Sequence, residues 1–219
     1  AIFVQNGYNI FPTNNNKKIN LAYKKAKFIL SYSNDITKCI NLKFPNLKTK
    51  IIKISYALNL NNKIENKKRN LITFMSRKLP QHTSLVVNYL KNNLPRNWML
   101  KNIHQLSEKE TYSILKKSKI FLAFSSFEGL PLPPVEAALA GNYVIGYTGE
   151  GGDEYWKKPI FTRINSGDIK HFVKSINEKV KFLKKNKKFP KKNFINLKNK
   201  FSSEHEKENI IKFLKFIPK

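Results

Sequence analysis

Cysteine is all but missing: Cys39 stands alone in 219 residues. No disulfide can close within the chain, which suits a reducing cytosol, and Cys39, inside a helix-like stretch, reads as a small core residue. Aspartate is nearly as scarce, at positions 35, 153 and 168 with no Asp-x-Asp, and the histidines at 82, 104, 171 and 205 show no ligand spacing. A hard cation wants clustered carboxylates, so neither a metal site nor a cofactor is expected. Walker loop, nucleophile elbow and zinc pattern are missing too. No apolar run approaches the ~18 residues a membrane span needs, and no signal peptide is visible. The expectation is a cytoplasmic protein, with peripheral membrane contact left open.

Negative charge is also in short supply. Asp and Glu number 14 against 42 Lys and Arg, a formal net charge of +28. Such an excess suits nucleic acid or an anionic membrane surface, or reflects composition alone. The bases are nearly all Lys, with Arg only at 69, 77, 96 and 163, and Lys, Asn and Ile together are what an AT-rich genome encodes. Nucleic-acid readers lean on Arg, whose planar fork fits phosphates and guanine edges, and no aromatic stacking platform is interleaved with these lysines. Nucleic acid is therefore not an expected partner, while an anionic membrane surface stays open.

What is present is a core-forming share of hydrophobic residues, 41%, in a recurring pattern. Strand-like runs fall at 2–5, 27–33, 50–57, 70–76, 97–103, 119–125, 142–147 and 159–164, several of them continuously apolar as in strands buried on both faces. Helix-like stretches at 17–26, 34–43, 81–93, 107–117, 133–140 and 167–186 alternate with them. The alternation predicts an α/β fold, a Rossmann-like parallel sheet with helices on both faces. Strand C-termini then share one edge, where ligands bind. The polar, unpatterned stretch 58–69 reads as an interdomain linker. Residues 1–57 become the end of a partial α/β domain, since apolar AIFV opens the chain without an upstream partner strand. Residues 70–190 form the Rossmann-like domain, and 191–219 a linker and a helix. Within that tail, basic 184–193 reads as linker. Residues 202–217 read as a helix with Ser caps, early Glu residues, and Ile210, Phe213, Leu214 and Ile217 on one face.

The chemistry concentrates in KIFLAFSSFEGLPLPPVEAALAGNYVIGYTGEGGDEYW (119–156). An apolar strand runs into a tight turn; Pro133 and Pro134 suit the start of a helix, and Gly141 its end. Small helix residues let the helix lie close to the sheet, its N-terminus aimed at the strand-edge crevice with backbone N–H groups between Gly129 and Val135, an anion site by construction. Glu128 precedes the helix and Glu136 is expected in its first turn. An anion receptor needs no acids. A ligand carrying both hydroxyls and phosphates does, because an ionised carboxylate is a pure acceptor.

These residues resemble the Glu-x7-Glu signature of the family-four group of GT-B glycosyltransferases, whose usual form is similar to EGFGLPxLEAMAxGxPVV. Here the second glycine of that pattern is replaced, and Tyr143 stands for the Pro before the next strand. The resemblance implies the donor-binding half of a retaining, metal-independent glycosyltransferase, with a nucleotide-diphosphate-sugar donor and a carbohydrate or lipid-linked acceptor. It implies that Glu128 holds donor-sugar hydroxyls as the catalytic residue and that Glu136 holds the ribose. Gly129, Leu130, Pro131 and Leu132 would face sugar and diphosphate. Residues 71–80 resemble the family's first donor-domain strand and loop, which gives Arg77, with Lys78, the diphosphate. Where members commonly add a further Lys, this chain has His82 and Thr83. The turn 103–107 matches the family's nucleobase turn, although Ser107 and Glu110 also make a plain capping box. Gly151, Gly152 and Glu154 would edge the same cleft, the glycines as a backbone nest. Gln5, Asn6 and Tyr8 fall on a loop facing it. Two other readings remain: a module that holds a nucleotide-sugar without catalysis, and a basic nucleic-acid-binding protein.

Overall fold

The computed structural model describes residues 1–13, 17–58, 64–65, 67–185 and 189–217. Each strand-like run becomes a strand. In the first part of the chain, β1 (Ile2–Val4), β2 (Phe28–Ser31) and β3 (Lys50–Lys53) form a three-stranded sheet in that order. A 3-10 helix (Gly7–Thr13), α1 (Lys17–Lys25) and α2 (Asn34–Lys43) connect them. In the second part, β4 (Leu71–Phe74), β5 (Met99–Asn102), β6 (Ile120–Glu128), β7 (Tyr143–Glu150) and β8 (Phe161–Arg163) form a five-stranded sheet of order β5-β4-β6-β7-β8. Every pairing is parallel. The helices are α3 (Pro80–Asn93), α4 (Glu108–Lys117), α5 (Leu132–Leu139), α6 (Ile169–Lys185), α7 (Lys191–Lys200) and α8 (Ser203–Leu214).

The continuously apolar strands are continuously buried, as a sheet covered on both faces requires. One face packs Ile72, Leu122, Phe124 and Ile145 against Val86 and Leu90 of α3 and Phe172 and Ile176 of α6. The other packs Phe121, Ala123 and Val144 against Val135, Ala138 and Leu139 of α5 and Leu197 of α7. Each buried Val, Leu, Ile or Phe side chain contributes about 1.5–3 kcal/mol by leaving water. Cys39 is buried in the separate core of the small sheet, beside Ile36 and Ile40.

Three features depart from the sequence reading. β6 and β7 run on to Glu128 and Glu150, past their apolar runs, because parallel ladder bonds continue where apolar patterning stops. The helix α7 occupies part of the basic stretch read as linker: Phe194, Leu197 and Phe201 recur at helical spacing and close the second core, a signal masked by the surrounding Lys and Asn. The helix α8 turns back onto the small sheet, where Phe213 meets Phe28 edge-on at 5.5 Å and Glu206 Oε1 accepts the Ala57 N–H at 3.1 Å. On that helix Ile210 and Leu214 stay exposed.

Residues 59–63 and 66 of the expected linker lie outside the described residues. Lys68, just after them, closes two helices at once. Its Nζ donates to the carbonyls of Leu115, Lys116, Ser118 and Ala140 at 2.7–3.4 Å. These oxygens end α4 and α5, where the helix dipole favours a cation. Burial pushes the ammonium down to about 7, with Glu65 pulling it back up. Among the described residues, no helix is long and apolar enough to cross a membrane.

Candidate functional site

The strand order reverses direction between β4 and β6: from β4 the chain steps outward to β5, and from β6 it steps the other way through β7 to β8. The crevice outside the C-termini of these two strands is the topological switch point, the ligand position of open α/β sheets. Three segments converge there: the loop after β4 with Arg77 and Lys78, the end of β6, and the start of α5.

A β-bulge delivers Glu128. Ser125 pairs with Thr148 and Glu128 with Glu150, so β6 carries one extra residue over this interval. Phe127 takes the left-handed conformation, φ 49°. A bulge of this kind re-aims the side chain that follows it. The Glu128 carboxylate is mostly buried and meets the Lys78 ammonium at 2.7 Å. Arg77, beside it, is exposed.

The turn that follows is defined by close backbone packing. A Cβ on Gly129 would lie 2.4 Å from the Gln5 carbonyl oxygen, and one on Gly151 would lie 1.9 Å from the Gly129 carbonyl oxygen. Only glycine allows three backbone segments to approach so closely. The Gly151 N–H donates to the Glu128 carbonyl at 3.0 Å and the Gly152 N–H to that of Thr148 at 3.2 Å. Both groups are committed within the chain, and these glycines shape the turn instead of presenting an open nest. Pro131 caps α5, and the fully buried Tyr155 hydroxyl donates to its carbonyl at 2.5 Å. Burial, and then the charges of Glu128 and Glu154, push the Tyr155 hydroxyl well above its ordinary value. Because Pro133 and Pro134 lack an N–H, the first-turn donors of α5 reduce to Leu132 and Val135. Leu130 packs against the core beneath the turn, and Leu132 is half-buried.

Glu136 is the fifth residue of α5, one position past the first turn. It is half-buried, and burial, then the charge of Glu108 on α4, raises its carboxyl above the usual value. The turn before α4 contains Gln105 at φ 52° and ends in a complete capping box between Ser107 and Glu110. His82 turns inward to the Tyr147 hydroxyl at 3.2 Å, and Thr83 bonds the Leu79 carbonyl at 2.8 Å, so neither side chain supplies the family's further cation.

Glu154 is not an open cleft-edge acid. Its carboxylate accepts the Asn34 N–H and Lys53 Nζ, each at 2.9 Å, and Lys200 Nζ at 3.2 Å, which joins the small sheet to α7. Burial raises its pKa, but the Asn34 N–H and the two lysines outweigh burial and hold it below the ordinary value. In a chain so rich in Lys, no local signal could have singled out Lys53, Lys68 or Lys200. The loop after β1 does reach the site: Asn6 Nδ2 donates to the Phe127 carbonyl at 3.0 Å and the Tyr8 ring lies 5.2 Å from that of Phe127. Among the described residues, no three His, Cys, Asp or Glu side chains gather as metal ligands would.

No protein-family model and no curated protein matches the sequence. The fold does match solved structures. A point mutant of Staphylococcus aureus TarM, crystallised with fondaparinux, α-GlcNAc-glycerol and UDP, superposes with a TM-score of 0.70 at 17% identity over 96% of this chain and 49% of its own. Anabaena HepE, in complex with UDP-glucose, gives a TM-score of 0.71 at 12% identity over 95% and 69%. The pneumococcal O-GlcNAc transferase GtfA, in complex with UDP and GlcNAc, gives 0.60 at 15% over 90% and 46%. The chain thus spans about half the length of the first of these, and the shared property is the fold: its α/β architecture resembles half of a GT-B glycosyltransferase.

Proposed function

We propose that this chain binds a nucleotide-diphosphate-sugar in the switch-point crevice and forms the donor half of a metal-independent, retaining glycosyltransferase. One observation carries the reading: Glu128, brought by the β6 bulge to the crevice and held 2.7 Å from Lys78, sets an acceptor of hydroxyl hydrogen bonds beside a phosphate-binding cation. Glu128 would take the sugar hydroxyls and Glu136 the ribose. Arg77, Lys78 and the N–H groups of Gly129, Leu130 and Leu132 would face the diphosphate, Arg77 through its bidentate fork. The presence of UDP with TarM and UDP-glucose with HepE supports the choice of ligand class.

In the transfer, the C1–O bond to the diphosphate breaks and its electron pair leaves with the diphosphate. The acceptor hydroxyl forms the new C1–O bond from the same face, and its proton passes to the departing phosphate oxygen. The protein's part is preorganised charge: cations and N–H dipoles already facing the oxygens on which negative charge develops. The acceptor is a carbohydrate or a lipid-linked one. The test is thermal unfolding with UDP-glucose, UDP-GlcNAc and UDP, because a ligand of the native state raises the midpoint. A UDP-sugar is expected to raise it in the wild type but not in Glu128→Gln. No shift with any of them, or an equal shift in the variant, sinks the proposal.

A further inference from the structure

A helix start ordinarily leaves the N–H groups of its N-cap and first three residues without a partner inside the helix. In α5 the N-cap is Pro131, and the second and third residues are Pro133 and Pro134. Proline has no N–H, so of these four positions only Leu132 carries one. The next N–H, that of Val135, has the N-cap carbonyl as its helical partner. The direction of the Leu132 N–H therefore decides whether this helix start can engage an anion. We propose that Tyr155 is a positioning residue for the donor diphosphate: its hydroxyl holds the Pro131 carbonyl inward, and the Leu132 N–H is thereby fixed facing outward. The inference rests on the reading of the crevice as a nucleotide-sugar site and adds to it the residue that aims one of its donors.

The Tyr155 hydroxyl donates to the Pro131 carbonyl at 2.5 Å, and the residue is only 3% exposed. Its ring is packed among those of Trp156, Phe161 and Phe201, with centroids at 5.9, 5.5 and 5.6 Å, so the hydroxyl cannot swing aside without opening the second core. Burial, and then the charges of Glu128 and Glu154, hold it well above its ordinary value, which keeps it protonated and therefore a donor. The carbonyl it holds belongs to the same peptide as the Leu132 N–H. That peptide is trans, and in a planar trans peptide the C=O and N–H point in opposite directions. A carbonyl drawn toward the aromatic core leaves the N–H facing away from it, on the side of the strand-edge crevice. A donor on the carbonyl also polarises the amide and strengthens its N–H as a donor in turn. Val135 already gives the Pro131 carbonyl a partner, so what the hydroxyl adds is direction. The same segment holds the other end of the turn, where the Gly151 N–H donates to the Glu128 carbonyl at 3.0 Å. Residues 151–155 thus act as a template against which 128–132 is laid.

Tyr155→Phe tests the role, because Phe keeps the ring in the core and removes only the hydroxyl. Amide NMR titration of the 219-residue chain with UDP, and with uridine, which lacks the phosphates, reads the two affinities, and thermal melting checks the fold of the variant. UDP affinity is expected to fall about tenfold in the variant, with uridine affinity unchanged; a purely structural role would lower both or neither. The wild-type Leu132 amide, followed in the same spectra, supplies a second reading that does not depend on the variant folding. It should shift on addition of UDP and stay in place with uridine. An unchanged UDP affinity in the variant, an equal loss for both ligands, or a Leu132 amide that UDP does not move overturns the positioning role and leaves the donor reading standing, since UDP still binds the wild type. A wild type that binds neither UDP nor uridine overturns both.

Discussion

The Lys78 ammonium sits 2.7 Å from the Glu128 carboxylate, although fifty positions separate the two in sequence. The pair lies in the switch-point crevice, so each group holds the other where a ligand would engage both. A sugar hydroxyl approaching Glu128 and a phosphate approaching Lys78 would each exchange this contact for one with the ligand.

Lys78→Met should therefore leave the fold intact and weaken the nucleotide-sugar. The pair is partly open to solvent, so its loss should cost folding no more than about 1 kcal/mol. Affinity for UDP-glucose should fall about tenfold or more as a charge-assisted contact is lost. Isothermal titration reads the affinity and thermal melting the stability; unchanged affinity would remove Lys78 from the site.

Glu136 should impose a pH limit on binding. As the proposed acceptor of the ribose hydroxyls it works best ionised, and burial and Glu108 raise its carboxyl above the ordinary value. Protonation as pH falls therefore begins earlier than for an exposed glutamate, and UDP-sugar affinity should decline over that interval. Glu136→Gln should bind more weakly at neutral pH and lose this limb of the profile. A wild-type profile that stays flat down to the ordinary carboxylate range would contradict the assignment.

Glu154 should couple acid stability to the contact between the two sheets. Its folded pKa lies below the ordinary value, so its contribution is present above the unfolded carboxylate pKa and is lost as pH falls through the folded one. Wild-type melting temperature should drop across that window. Glu154→Gln should melt lower at neutral pH and show a shallower acid drop. Parallel melting curves across pH for both proteins would refute the coupling.

Lys68→Met should be the most damaging single lysine change outside the site. It removes the shared donor of four carbonyls at the ends of α4 and α5; that of Leu115 keeps the Asn142 amide and the Ser118 N–H, and each other acceptor left unpaired costs about 1–3 kcal/mol unless water replaces the donor. A loss of about 3 kcal/mol by urea titration is expected. Met matches the length of the Lys stem, which separates this from a packing defect; a loss within the range of ordinary surface changes would show that the carbonyls need no cation.

Much of the fold was legible in advance. The strand-like runs and interleaved helical stretches appear as strands and helices near their expected places because apolar period and helix-start residues act locally. The 191–200 helix was not legible, since Phe194, Leu197 and Phe201 are embedded in Lys and Asn and gain meaning only against the core they close. In the candidate site, the nearness of Lys78 to Glu128 followed from the family resemblance. The committed N–H groups of Gly151 and Gly152, the bulge at Phe127 and the capture of Glu154 did not.

By itself the sequence determined the succession of elements, the parallel sheet and the placement of a Glu-bearing turn before a short, small-residue helix, since these depend on neighbours along the chain. Only the tertiary structure decided which of many similar lysines meets which of the few carboxylates. Lys78 reaches Glu128, and Lys53 and Lys200 reach Glu154, because sheet order and the return of α7 across the molecule bring distant residues together. Charge identity is written in the chain one residue at a time, but an ion pair forms at a distance of a few ångströms that only packing sets.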